Sequence, residues 1–412
     1  MNWLRSVPLS QTARGAGVAF LASILYSILS FVTISVLVRG MSPDEFGLYR
    51  LLFDTANLAY PLALFGLQYT WNQSIAATDT VAEQSKEKGA ALILCIGICL
   101  LAIASLTFGA NILDKVAVLG QYSILIPFAF VISVPIFRDL AEGILVAQRK
   151  LTASAVTLVG GQVLVLSAIT VLSQPLHIEV VAYASTLTVV SCSILGIALT
   201  GVSFQSLSRY THYLLKTNLY FGLPVFAAAS IVVLGQNTLQ LATGLRLDAI
   251  EYGRLSLALM IASMVTLVPS AIAKAKFRDF ATSAAIGNLL ILQNVGVTLI
   301  AAIGLELFAL VYVYLVAGKT YVELLKYLPF LLLSASLQGQ ADLFNRFFYA
   351  KKKAKVLTNI SIILGTLSTA AGLALIHYFG VWGVVATKLL TSGLVLILYC
   401  MAYIRHLSSQ LD

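Results

Sequence analysis

Four cations and four carboxylates stand inside stretches of sequence that are otherwise almost wholly apolar. The cations are Arg50, Arg138, Arg346 and Lys388; the acids are Asp54, Asp139, Glu142 and Asp342. Arg50 and Asp54, Arg138 and Glu142, and Asp342 and Arg346 are each four residues apart, which sets them on one helix face. A charge at the centre of a membrane span costs roughly 2.5–3.5 kcal/mol, so eight of them facing lipid would cost on the order of 20 kcal/mol. A fold has no such reserve. Most must therefore face a protein interior or a wet hollow. There the acids would pair with the cations, or the cations would meet an anionic ligand.

Amides extend the pattern. Arg50, Asp54, Asn57, Pro61, Gln68 and Asn72 follow one another at spacings of 4, 3, 4, 7 and 4, the pattern expected of one continuous stripe on a single helix. Gln338, Asp342, Arg346 and Tyr349 share a face, as do Ser23, Ser27 and Ser30 farther upstream. Gln236, Asn237, Gln240 and Thr243 form a further polar group. A structural reading stands beside the functional one with equal weight: acid–base pairs four apart can neutralise one another and tie helices together. The serines also suit close helix packing. Lys388 is different, since no acid lies near it in sequence. It needs a partner from another helix or an anionic ligand.

The elements that must position these groups are membrane spans. Hydrophobic residues make up 59% of the 412-residue chain and charged ones 10%, with a mean hydropathy of +0.93. The apolar runs are about 20 residues long, enough to cross about 30 Å of hydrocarbon. We expect twelve spans, near residues 17–38, 46–72, 90–110, 121–147, 153–173, 179–201, 219–243, 252–273, 283–312, 322–349, 357–377 and 381–403. The first is expected to be retained as a span, since it lacks a small-residue cleavage site. Pro127, Pro135, Pro224, Pro269 and Pro329 lie in or beside spans, where they would kink helices and free carbonyls.

Assigning the connections gives an orientation. Sixteen basic residues, among them Arg5, Arg14, Lys86, Lys88, Arg149 and Lys351–Lys355, fall on one side, against four on the other: Arg39, Lys115, Arg246 and Lys319. Both termini are thus expected in the cytoplasm. The formal charge of +9 is read as this topological bias, not as a nucleic-acid surface.

The chain also repeats itself. Glu45-Phe46-Gly47 returns as Glu251-Tyr252-Gly253, 206 residues on. Asp139-Leu140 followed by Ala147-Gln148-Arg149-Lys150 returns after 203 residues as Asp342-Leu343 followed by Ala350-Lys351-Lys352-Lys353. Such a period, with six spans in each half, predicts two parallel repeats related by an axis along the membrane normal. The expected domains are an N-terminal lobe over 1–205, a cytoplasmic linker over 206–215 and a C-terminal lobe over 216–412.

Several chemistries find no support. There is no G-x-x-x-x-G-K-[ST] and hence no built-in ATP motor, no H-E-x-x-H and no nucleophile elbow. Cys95, Cys99, Cys192 and Cys400 lie in apolar runs with no histidine or acid placed to complete a metal site, and the four histidines are scattered. No cofactor, metal or enzymatic activity is expected. A secondary transporter or flippase remains.

The residues then resemble a family. The stretch Arg39-Gly40-Met41-Ser42-Pro43-Asp44-Glu45-Phe46-Gly47-Leu48-Tyr49 is similar to the loop after the first span of polysaccharide-export flippases, the Wzx-type members of the MOP superfamily. Asp248–Gly253, the basic turn Ala350–Lys355 and Gly380-Val381-Trp382-Gly383-Val384-Val385-Ala386 look similar in the same order. The resemblance implies a V-shaped, all-α twelve-helix transporter of the bacterial inner membrane. Its cargo would be an undecaprenyl-pyrophosphate-linked oligosaccharide for O-antigen or exopolysaccharide. Arg50, Arg138, Arg346 and Lys388 would then take the diphosphate, and Asn57, Gln68, Asn72, Gln236, Asn237 and Gln240 the glycan. Asp54, Asp139, Glu142 and Asp342 would pair structurally or couple transport to protons or Na+. Contact with polymerase or chain-length machinery would follow, alongside membrane lipids.

Other readings stay open. Drug antiporters of the superfamily typically carry an acid in the first span, and residues 17–38 have none. Lipid II flippases have two more spans and several cations on the first helix. A major-facilitator protein would carry a basic, Gly-rich turn between spans two and three, where this chain has the mixed-charge segment 76–88. A membrane glycan polymerase or ligase would usually show a large outer loop.

Overall fold

A computed structural model describes residues 9–78, 80–115, 129–148, 150–172, 175–223, 226, 242–244, 246–276, 280, 283–351 and 353–408. Among the described residues the chain is helical, with no strand. The first eight helices are α1 (Leu9–Gly40), α2 (Pro43–Leu64), α3 (Leu67–Ala77), α4 (Val81–Lys115), α5 (Ser133–Ala147), α6 (Leu151–Val171), α7 (Ile178–Ala198) and α8 (Leu207–Thr217). A π-turn over Asn218–Gly222 extends α8. After the next described segment come α9 (Ala249–Ser263), a 3-10 turn, and α10 (Leu267–Ala275). Then follow α11 (Asn288–Tyr312), α12 (Leu328–Ala350), α13 (Ala354–Phe379) and α14 (Val381–Ser408).

Seven described helical stretches are long and apolar enough to cross a bilayer, including Val81–Ser105, Asn288–Ala317 and Val381–Ser408. Their outer faces carry large apolar side chains in the open, such as Leu187 and Ile300, each 72% exposed. Water would penalise such a surface and hydrocarbon would not. The chain is an all-α membrane protein, and its helix order follows the twelve-span plan. The expected seventh span, 219–243, falls largely outside the described residues.

The chain forms two compact units, one of residues 1–41 and 52–227, the other of residues 42–51 and 228–412. The first packs around Leu64, Trp71, Ile75, Cys95, Ile136 and Leu140. The second packs around an aromatic group, with Phe280, Phe344, Phe347, Phe348, Tyr399 and Tyr403 in one cluster. The Tyr403 hydroxyl closes it, accepting from the Ile286 amide at 2.7 Å and donating to the Ile286 carbonyl at 3.2 Å. The segment 206–215 is mostly α8, whose Leu214 is buried in the first unit's core.

The repeated motifs adopt matching local structure. Glu45 is the third residue of α2, capped reciprocally with Ser42; Glu251 is the third residue of α9, where its amide donates to the Asp248 side chain. These are helix N-terminal caps that satisfy otherwise orphaned amides. The second echo is closer still. α5 and α12 both end in the same turn, with Lys150 N–H donating to Leu145 O at 2.9 Å and Lys353 N–H to Phe348 O at 3.0 Å. Lys150 (φ −87°, ψ 56°) and Lys353 (φ −82°, ψ 58°) then open α6 and α13 in the same conformation.

Two expectations need correction. The second span is not one helix. Phe65 and Gly66 take positive φ, 45° and 86°, so α2 stops at Leu64 and α3 restarts at Leu67. A side chain on Gly66 would strike the Gly222 carbonyl, so glycine both permits the turn and admits the neighbouring backbone. The stripe from Arg50 to Asn72 is therefore divided between α2 and α3. Lys88, counted with the loop charges, is fully buried in α4. Its ammonium donates to the Thr200 carbonyl at 2.9 Å and to Thr200 Oγ1 at 3.1 Å, which ties α4 to the end of α7.

Candidate functional site

In the second unit, α9, α12, α13 and α14 enclose a cavity of about 530 Å3. That volume lies within the range of small-molecule sites. Asp342, Gln338 and Asn345 reach it from α12, and Lys388 from α14. Hydroxyls of Ser263 and Ser361 stand on other walls, and that of Thr391 on α14 with Lys388. Ser334 Oγ donates to the Lys388 carbonyl at 3.0 Å and lies 2.9 Å from Ser392 Oγ, which joins α12 to α14 within the cavity wall. Among the described residues the Lys388 ammonium makes no hydrogen bond or ion pair. A long cation on the wall of a hollow of this size has room before it for an anion.

The other cations are already engaged. Arg346 Nε donates to Asp342 Oδ2 at 3.0 Å and Nη2 approaches Ser270 Oγ at 3.5 Å, so α12 and α10 share the charge. Arg50 Nε donates to Ser256 Oγ on α9 at 2.6 Å. The intrahelical pairing of Asp342 with Arg346 follows the expected four-residue spacing, while the Ser256 contact joins residues 206 apart.

In the first unit a second polar group forms around α5. Arg138 is exposed and donates from Nη1 to the Tyr26 hydroxyl at 2.9 Å. Glu142, also exposed, and Tyr60 lie within its electrostatic range. Asp139 is half-buried, and its Oδ2 is buried with no hydrogen-bond partner among the described residues. Of the glycan candidates, Asn57 is exposed on α2. Gln68 is buried on α3 with Oε1 unpartnered, and Asn72 is half-buried against Gly143 with Oδ1 unpartnered. Asp54 is half-buried on α2. Gln236, Asn237 and Gln240 lie outside the described residues.

The sequence reading missed Tyr26, Ser256, Ser270 and Asn345. Asn345 was within reach, being three residues from Asp342 and seven from Gln338 on the same face. The others are hydroxyls on different helices, and spacing along a chain carries no signal for them.

Comparison with known proteins agrees with this architecture. No curated protein matches the chain. Among solved structures it is similar to an inward-facing MATE multidrug resistance transporter of the MOP superfamily, with TM-score 0.68 and 18% identity over 93% of this chain and 95% of that one. It is also similar to the inward closed conformation of the lipid II flippase MurJ, with TM-score 0.62 and 13% identity over 92% and 87%. A MOP superfamily transporter from Pyrococcus furiosus, described as having a binding pocket of reverse polarity, matches with TM-score 0.54 and 16% identity over 96% and 95%. At these identities the likeness shows the fold that these structures share. The family model described as "Polysaccharide biosynthesis protein" matches residues 12–277, and the chain belongs to that family.

Proposed function

We propose that this protein is a flippase that moves an undecaprenyl-pyrophosphate-linked oligosaccharide across the bacterial cytoplasmic membrane by alternating access, driven by an ion gradient. The observation that carries the reading is the hydroxyl- and amide-lined hollow of the second unit with the Lys388 ammonium on its wall, without a partner among the described residues. A polyisoprenoid cargo can leave its tail in lipid, but its diphosphate and sugars need a wet, cationic, hydrogen-bonding surface. Arg138 and Lys388 are assigned the diphosphate, with Arg50 and Arg346 held back by Ser256 and Asp342. Asn57, Gln68 and Asn72 are assigned to sugar hydroxyls. Asp139 and Glu142, beside Arg138, are assigned to ion coupling, while Asp54 and Asp342 are read as structural partners. Both termini are placed in the cytoplasm, and the glycan polymerisation machinery is the expected downstream partner. The MOP fold and the family favour transport over glycan polymerisation or ligation.

The test is leaflet-specific accessibility of lipid-linked glycan in a deletion strain. Restoring the wild-type chain should expose the glycan on the outer face. Arg138→Ala and Lys388→Ala chains at normal abundance should leave it on the cytoplasmic face. Full outer exposure with both variants would refute the diphosphate assignment, and outer exposure without any copy of the protein would refute the flippase reading.

A further inference from the structure

A separate cavity of about 360 Å3 opens where α13 begins and α14 ends. Lys353, Arg405 and His406 line one part of it, and Val356, Ile360, Leu398 and Met401 line the other. Among the described residues no carboxylate lines its wall. Lys351 and Lys353 both lie within electrostatic range of His406, and Lys353 and Arg405 are exposed. Seven residues separate Lys353 from Ile360, about 10 Å along a helix. The basic groups thus sit at the helix ends and the apolar floor lies farther into the spans. Met401 and Ile404 beside it are 47% and 65% exposed, so the floor runs out onto the apolar flank of the bundle.

A ligand that fits this gradient has an anionic head and a hydrocarbon body. A free phosphate would leave the floor unused. Among the described residues a lipid-linked glycan would find a single amide, Asn359, and no hydroxyl in the wall, unlike the Lys388 hollow. Basic pockets at the ends of spans are suited to anionic headgroups. We propose that this cavity binds an anionic phospholipid, with its phosphate on Lys353, Arg405 and His406 and its first acyl carbons against Val356, Ile360, Leu398 and Met401. The site rests on the membrane reading of α13 and α14 and not on the cargo assignment. With the termini in the cytoplasm as proposed, it faces the inner leaflet.

The test uses the full chain in neutral detergent, with bound lipid counted by native mass spectrometry during titration with phosphatidylglycerol or phosphatidylcholine. The wild type should retain phosphatidylglycerol preferentially. The pair Lys353→Gln with Arg405→Gln should bind it roughly 30-fold more weakly, since each basic group contributes about a factor of five, with phosphatidylcholine unchanged. Leu398→Trp, which fills the floor and keeps the charges, should also weaken it. Lys388→Met should not. If the paired variant does not fold, Arg405→Gln alone should show the fivefold step. Equal retention of both lipids by the wild type, or unchanged phosphatidylglycerol binding in the folded variants, overturns the proposal. So does a result in which the variants lose undecaprenyl diphosphate but keep phosphatidylglycerol, which would make the cavity a port for cargo.

Discussion

Gly47 and Gly253, 206 residues apart in sequence, meet in the folded second unit, where a β-carbon on Gly253 would lie 3.2 Å from the Cα of Gly47. The two copies of the repeated motif are thus packed on one another. The approach is asymmetric: a β-carbon on Gly47 would run into the Ala249 carbonyl, whereas one on Gly253 meets Gly47 Cα and the Phe46 ring, both at 3.2 Å.

That asymmetry predicts different costs for the same substitution. Gly47→Ala forces two backbones apart, an overpacking penalty of about 1–3 kcal/mol that exceeds the ~1 kcal/mol gained from replacing a helical glycine. Gly253→Ala needs a shift of tenths of an ångström, and the same propensity gain offsets it. Thermal unfolding in detergent should rank Gly47→Ala clearly below Gly253→Ala, with the latter within about 1 kcal/mol of wild type. The opposite ranking would mean that the Gly47–Ala249 contact is not maintained in solution.

The two echoes show how much was legible. Capping residues and basic turns are local, so their types recur at a nearly fixed offset, and the repeat was legible from those echoes alone. The break at Phe65 could not. A phenylalanine in the left-handed region is set by what packs around it, here the Gly222 backbone against Gly66, and a lone glycine inside an apolar run is weak punctuation. The site was half legible for the same reason. Helix periodicity paired Asp342 with Arg346, but Arg50 with Ser256 and Arg138 with Tyr26 are contacts between helices.

Lys88 gives a prediction about stability alone. Its burial is offset by two acceptors on Thr200. Lys88→Met keeps most of the volume and removes the donors, leaving the acceptors of half-buried Thr200 unmet at about 1 kcal/mol. The variant should unfold at lower temperature and accumulate less, yet the protein that remains should transport at the wild-type rate per molecule. A normal melting temperature would show that the Thr200 contacts contribute nothing.

The Arg346–Asp342 pair separates a structural from a substrate role. Both side chains are partly open, at 31% and 25%, so water screens them and a coupling of roughly 1 kcal/mol is expected from a double-mutant cycle with Arg346→Gln and Asp342→Asn. If the pair is structural, the double variant should recover most of the stability lost by the singles and should retain transport. Loss of transport in the double variant at wild-type stability would return Arg346 to the cargo-binding group.

Lys388 should behave in the reverse manner. Its ammonium has no partner among the described residues and faces the hollow, so removing it breaks no contact and spares the cost of holding a charge away from bulk water. Lys388→Met should therefore melt at or above the wild-type temperature while glycan export falls at least about tenfold, the equivalent of ~1.4 kcal/mol of lost interaction with an anionic cargo. Lys388→Arg, which keeps the charge in a different shape, should recover part of the export. If Lys388→Met instead lowers stability and leaves export per molecule intact, the lysine is a structural element whose counter-group lies outside the described residues, and the cationic wall of the hollow must be sought elsewhere.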